Sequence, residues 1–362
     1  MLDLAFDAVS LTRGSFSISG LSAAFPRSTH TALIGPPASG KSTLLALLEG
    51  TERPASGRVV IGQRDATRMR ASARPLFHTA RTAAIPGRWS VRHALVAAAR
   101  SRRGLDYQDR IEEIEKVAAT WSLRDLLDRR ARELSSGEAL RLRLAQILLH
   151  RPAVLLAERL FAPATAGAAD ALEDRFWGQL RADGCTVVHE ISRPEELGWA
   201  DRAMLVDGGS IVATGAPRDL ERAAPTAALA ALFGPSSVIP ILVVGDEVRS
   251  ALGNWTLEEP TFQGNGVALA HPWQFTRARV GEESDFLFGI EEARFLGWAW
   301  ELSGLVGGAT VLRVWVEADE HPSKGRLLPL RFEPARFRLF PSAEDPRLGV
   351  PTDVIPSRSD SR

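Results

Sequence analysis

The octapeptide Gly35-Pro36-Pro37-Ala38-Ser39-Gly40-Lys41-Ser42, followed by Thr43, constrains this chain more than any other feature. It fits the pattern G-x-x-x-x-G-K-[ST], lies after the apolar run HTALI, and opens the stretch KSTLLALLEG, which reads as a helix. A strand, a glycine-bounded loop and a helix in that order let several backbone N–H groups curl inward around phosphate oxygens. The dipole of the helix adds positive potential there. Lys41 then reaches the β- and γ-phosphates, and the Ser42 hydroxyl is placed to ligate Mg²⁺. The expected ligand is a nucleoside triphosphate, ATP, held by residues Gly35 to Thr43. Phe16 is the nearest aromatic candidate for stacking on adenine.

Around this loop, short apolar runs alternate with helical stretches. AVLLA, CTVVH and RAMLVDGGSIVATG read as strands. IEEIEKVAATW repeats Ile111, Ile114, Val117, Ala118 and Trp121 at three- and four-residue steps, the period of a helix. The alternation predicts an α/β domain over 1–233 with a mostly parallel sheet and a helical subdomain over about 91–150. Near Phe233–Pro235 the pattern switches to alternation with period two. In TVLRVWVE, Leu312, Val314 and Val316 fall on one face, with Val311, Arg313, Trp315 and Glu317 on the other. A second, small all-β barrel domain over 236–345 is expected, with a disordered tail over 346–362 rich in Pro, Ser and charge.

The 362 residues suffice for two domains. A net charge of zero argues against a nucleic-acid partner, which needs a basic excess. The single cysteine, Cys185, excludes an internal disulfide framework and fits a reducing cytoplasm. The first residues lack the pattern of a signal peptide, and no apolar run approaches the roughly 20 residues of a membrane span. The chain is expected to be soluble, or membrane-associated only through a partner.

A second motif narrows the choice among phosphate-loop proteins. Leu134-Ser135-Ser136-Gly137-Glu138 is followed by the helical ALRLRLAQILLHRP, the strand AVLLA and Glu158. This order resembles the nucleotide-binding domain of ABC transporters, whose signature reads LSGGQ. GTERPASGRVVIGQRD and WADRAMLVDGGSIVATGAPRDL resemble further parts of that domain, so the likeness covers roughly residues 3–233. The C-terminal strands, ending in LLPLRFEPARFRLF, resemble the OB-like (TOBE) barrel appended to ATPase subunits of solute importers. The resemblance implies a P-loop NTPase of ABC type acting with membrane-embedded permease subunits, peripheral on the inner face of the cytoplasmic membrane. It also implies a head-to-tail pair of ATPase subunits. Ser135, Ser136, Gly137 and Glu138 would then complete the ATP site of the partner ATPase.

The chain departs from that family at several positions. The family's second acidic motif is an apolar strand ending in Asp-Glu; here it reads Val154-Leu155-Leu156-Ala157-Glu158. On this alignment Glu158 is the glutamate that polarises the attacking water, and Ala157 replaces the aspartate that supports Mg²⁺. The glutamine that senses the γ-phosphate falls near Arg81, with no glutamine in the segment. The switch histidine falls at Ser192, and His189, three residues upstream, reads as a core or strand-end histidine. RLFAPAT after Glu158 lacks the family's usual sequence. A lost carboxylate and an added guanidinium both weaken Mg²⁺ binding, so nucleotide binding is expected with weakened hydrolysis. Two arrangements follow: the degenerate half of a heterodimeric ATPase, or a slow homodimer. A non-catalytic regulatory subunit with a sensing barrel is the alternative from another class.

Overall fold

The computed structural model describes residues 2–81, 85–100, 106–161, 168–279, 281–308 and 310–342. The expected tail at 346–362 and residues 162–165 of the RLFAPAT segment lie outside them. The chain forms two compact units, Met1–Leu220 and Glu221–Arg362. The division falls inside the short helix Pro217–Ala223, ahead of the compositional switch at Phe233–Pro235.

The first unit begins with β1 (Leu4–Arg13) and β2 (Phe16–Phe25), an antiparallel pair. Strand β3 (His30–Ile34) is buried along its whole length and runs into the Gly35 loop. Helix α1 (Lys41–Glu49) starts directly after Gly40, whose φ of 107° is the left-handed conformation that favours glycine. It ends at Gly50, also left-handed at φ 90°, whose N–H bonds back to the Ala46 carbonyl at 2.8 Å. Strands β4 (Ser56–Ile61) and β5 (Arg64–Asp65) complete a four-stranded antiparallel sheet in the order β2-β1-β4-β5.

The chain continues through β6 (Phe77–His78), α2 (Val91–Ala99), α3 (Tyr107–Thr120), α4 (Ser136–His150) and β7 (Val154–Glu158). It closes with α5 (Ala168–Ala182), β8 (Thr186–Glu190), β9 (Arg202–Asp207) and β10 (Ser210–Gly215). The central sheet has six strands in the order β10-β9-β3-β8-β7-β6, parallel except for the β9–β10 hairpin. Its two faces carry different cores. Leu44, Leu45, Leu47 and Leu48 of α1 pack with Val154, Leu156 and Val188, whereas Leu155, Ala157 and Val187 belong to the cluster of α2 to α5. This is the pleat at work, since alternate residues of a strand point to opposite faces. In α3 the 3.6-residue stripe is realised: Ile114, Ala118 and the following Trp121 are buried in that helical cluster.

Buried deep in the first unit, His189 on β8 is fully enclosed, its Nε2 3.0 Å from Glu196 Oε2 and its Nδ1 3.4 Å from His30 Nε2. The His30 ring also packs on Trp177, with centroids 4.6 Å apart. Burial holds the His30 imidazole well below its usual 6.5, with the neighbouring His189 and Arg181 adding to the effect. Below 6.5 the unfolded chain takes up a proton that the folded chain refuses, so stability falls with acidification and is level above that pH. We expect the unfolding free energy from urea titrations to drop between pH 7.5 and 5.5, with a slope of up to about 1.4 kcal/mol per pH unit from this one group. In His30→Leu that slope should shrink. An unchanged slope in the variant would contradict the assignment.

Among the described residues the second unit is largely β, with sheets of five, three and three strands. Along the strand Ser237–Val244, Ile239, Ile241 and Val243 point into its core. Leu312 and Val314 do the same on Thr310–Glu317, with Val316 packed at the edge.

Candidate nucleotide site

The phosphate loop is built against the ends of β3 and β9. A Cβ on Gly35 would lie 2.1 Å from the Val206 carbonyl oxygen, so only glycine fits. The Gly209 N–H donates to the Ser39 carbonyl at 2.8 Å, and the Ser39 N–H to the Pro36 carbonyl at 3.2 Å. Ala38 is left-handed at φ 61°. The Lys41 ammonium turns back into the loop and donates to the carbonyls of Gly35 (2.8 Å) and Pro36 (3.0 Å) and to Ser39 Oγ (3.3 Å). Burial pulls the Lys41 pKa down, against an opposing pull from Glu190. Pro37, Ala38 and Ser42 are exposed, and Thr43 is half-buried. The Phe16 ring lies beside the loop, where a Cβ on Gly40 would meet its Cζ at 2.7 Å.

At the C-terminal ends of the parallel strands a row of polar side chains faces the same side as α1. On β6, His78 places Nδ1 3.2 Å from Glu49 Oε1 and Nε2 3.4 Å from Glu158 Oε2. On β7 stands Glu158, whose backbone N–H donates to the buried Thr79 hydroxyl at 2.9 Å. On β8, in register with Glu158, stands Glu190, whose Oε2 accepts the Ser42 hydroxyl at 3.0 Å. Burial pushes the Glu190 carboxyl up, and neighbouring Glu158 adds to that push. The Ser42 hydroxyl, Lys41 and Arg159 act in the opposite direction.

These placements revise the alignment drawn from the sequence. Ala157, read there as the site of a missing metal-supporting carboxylate, is turned to the opposite face of the sheet, among Leu155 and the helical cluster. A side chain at 157 would not face Ser42, because the pleat gives that face to Leu156 and Glu158. In the segment around Arg81, the residue brought to Glu158 is His78. Arg81 ends a short 3₁₀ turn, Thr79–Arg81, and its side chain lies outside the described atoms. Ser192 lies beyond β8, exposed, with its N–H donating to Glu196 Oε2 at 3.3 Å. Neither His78 nor Glu190 was singled out from the sequence. The signal for Glu190 was available: counting by twos from the buried Val188 puts its side chain on the α1 face.

The second motif forms the N-terminus of α4. Ser135 is the N-cap: its Oγ accepts the Glu138 N–H at 3.3 Å, and Glu138 Oε2 accepts the Ser135 N–H at 2.8 Å and its hydroxyl at 3.0 Å. These bonds from Ser135 hold the Glu138 carboxyl below the ordinary carboxylate range. Ser135, Ser136 and Gly137 are exposed, and a Cβ on Gly137 would meet nothing within 4 Å. No helix among the described residues is long and apolar enough to cross a membrane.

Comparison with known proteins accords with this architecture. The family described as ABC transporter matches residues 18–158. The Fe(3+) ions import ATP-binding protein FbpC of Rhizobium etli is 30% identical over 250 residues, covering 68% of this chain and 70% of that protein. The thiamine import ATP-binding protein ThiQ of Chelativorans sp. is 34% identical over 194 residues, covering 53% of this chain and 78% of that protein. Among solved structures, a nucleotide-free ATP-binding cassette from an ABC transporter superposes with a TM-score of 0.52 at 21% identity. It covers 65% of this chain and 99% of that one, a likeness of fold. With the strand–loop–helix at Gly35–Thr43, the capped turn at Ser135 and these relatives together, the chain belongs to the ABC transporter family, of which it carries the ATP-binding domain.

Proposed function

We propose that this chain is the ATP-binding subunit of a solute importer, held by permease subunits on the inner face of the cytoplasmic membrane, and the degenerate half of a heterodimeric ATPase. The import role is supported by the relatives named as iron and thiamine import ATP-binding proteins. The degenerate half rests on one observation, an asymmetry between two parts of the surface. The Ser135–Gly137 turn is capped and exposed, and it keeps the serine and the second glycine that the resemblance places on a partner's ATP. At the chain's own loop, β7 turns Glu158 toward the α1 side, and the residue that follows is Arg159, exposed and left-handed at φ 44°.

In the family's Asp-Glu pair the first acid supports Mg²⁺ and the second polarises water. With Glu158 on the α1 face, Glu158 takes the place of the first and Arg159 the place of the second. A guanidinium cannot accept a proton from water. General-base assistance contributes roughly 10²–10⁴-fold to such a step, so its loss leaves binding intact and chemistry slow. Lys41 and Ser42 retain what the phosphates and Mg²⁺ require, and turnover takes place at the partner's loop.

The test is ATP turnover by the full chain alone and in complex with its permeases and second ATPase. Alone, the chain should turn over ATP at background. In the complex, Glu158→Gln should leave turnover within about threefold, because the reacting water is elsewhere. A collapse of turnover with Glu158→Gln would sink the heterodimer reading. A second reading, a ligand-sensing regulatory subunit, is favoured by a cleft of about 710 Å³ in the second unit, lined by Arg277, Arg279, Trp315 and Glu320 among others. It requires that adding the partner ATPase produce no turnover.

A further inference from the structure

We infer that Glu190 is a positioning residue for a divalent cation at Ser42, supplying on β8 an acidic contact that the family's β7 motif does not include. The inference rests on nucleotide binding at the Gly35–Thr43 loop, and it concerns a residue that the likeness to the family does not assign.

The geometry that carries it is a division of labour between two carboxylates. Glu158 and Glu190 are in register on adjacent parallel strands and face the α1 side of the sheet together. Glu158 leans toward β6, with Oε2 3.4 Å from His78 Nε2, and the other nitrogen of that ring meets Glu49 at the far end of α1. Glu190 leans the opposite way, to the first turn of α1, and grips the Ser42 hydroxyl at 3.0 Å. It is 9% exposed, while Ser42 is exposed. The carboxylate thus lies behind the hydroxyl that faces the phosphates, placed to fix its lone pairs and to meet the cation directly or through water.

The donor set suits Mg²⁺. That ion takes oxygen ligands, keeps several waters, and is commonly bound through one or two carboxylates together with substrate phosphates. A serine hydroxyl and one or two carboxylates beside a phosphate loop match that description. Among the described residues there is no group of three or more His, Cys, Asp or Glu poised to hold a metal by themselves, so a cation here would depend on the phosphates for part of its shell. Two carboxylates side by side, Glu190 buried and Glu158 half-buried, repel each other, and a divalent charge at Ser42 would remove that penalty. Nucleotide and cation are therefore expected to bind together.

The experiment measures binding, so it does not depend on hydrolysis. The full chain is titrated with the non-hydrolysable analogue AMP-PNP in Mg²⁺ and in EDTA, and Mn²⁺ bound to the nucleotide-loaded protein is followed by electron paramagnetic resonance. Wild type should bind the analogue more tightly in Mg²⁺. Glu190→Gln should lose most of that gain, with Mn²⁺ affinity falling roughly 10–100-fold and binding in EDTA within about twofold of wild type. Glu190→Asp, which keeps the charge on a shorter stem, should recover part of the loss. If Glu190→Gln keeps the wild-type metal gain, the inference is wrong. It is equally wrong if the variant loses binding to the same extent in EDTA as in Mg²⁺, the mark of a purely structural role. A wild-type chain that binds no AMP-PNP under either condition removes the loop reading itself, a result distinct from both.

Discussion

Replacing Ser135 by arginine is expected to lower ATP turnover of the assembled complex by at least about 100-fold, the scale set by losing one donor aimed at transition-state charge. ATP binding to this chain's own loop should be unchanged. The residue sits at the exposed start of α4, where its hydroxyl and N–H are ordered by the reciprocal bonds to Glu138. Gly137 beside it has open space where a side chain would stand, so a phosphate can approach the backbone closely. Arginine fills that approach and removes the cap. Loss of a serine N-cap costs about 0.5–2 kcal/mol of stability, which a thermal melt would register. Ser135→Asn separates the two effects, since asparagine caps as well as serine but alters the outward shape. If Ser135→Arg melts slightly earlier yet turns over ATP normally, the turn is only a helix cap and the partner's site lies elsewhere.

Much of this architecture was legible in the residues, for reasons that differ from element to element. The loop at Gly35–Ser42 announces itself because its function is carried by backbone geometry, which demands glycine and lysine at fixed spacing. The α3 stripe and the Leu312–Val316 alternation were readable because burial imposes a period. The row at the strand ends was harder. Which of two consecutive residues, Ala157 or Glu158, faces the loop depends on the phase of the pleat, and an all-apolar buried strand such as VLLA carries no alternation to set that phase. The structure supplies it through Val154 and Leu156, which pack on α1. His78 was missed for a related reason: its strand is two residues long, and only its pairing with β7 fixes what it touches. Glu190 was hidden behind His189, a residue type that draws the eye to chemistry but here is a fully buried member of a His–Glu pair.

The loop lysine carries the other large effect. Lys41→Ala is expected to weaken nucleotide binding roughly 10–100-fold, since charge-assisted hydrogen bonds to phosphate contribute about 1.5–3 kcal/mol. The structure adds a second consequence. The ammonium donates to the carbonyls of Gly35 and Pro36 and to Ser39 Oγ, so the lysine holds its own loop in a ring of acceptors. Alanine leaves those carbonyls without that donor, and the loop loses its preformed shape along with its charge. Lys41→Arg tests which loss matters. A planar guanidinium keeps the charge but cannot direct three donors into so tight a turn. If charge alone governed affinity, arginine would bind ATP like wild type. If the ring of acceptors governs it, arginine should fall close to alanine, and that is the outcome this geometry favours. Equilibrium titration with a fluorescent ATP analogue in Mg²⁺ reads the difference, and wild-type affinity in Lys41→Ala would overturn the assignment of the loop. The same titration in EDTA keeps the lysine's contribution separate from the one inferred for Glu190, because a lysine acting on phosphates needs no metal, whereas Glu190 would act only through one.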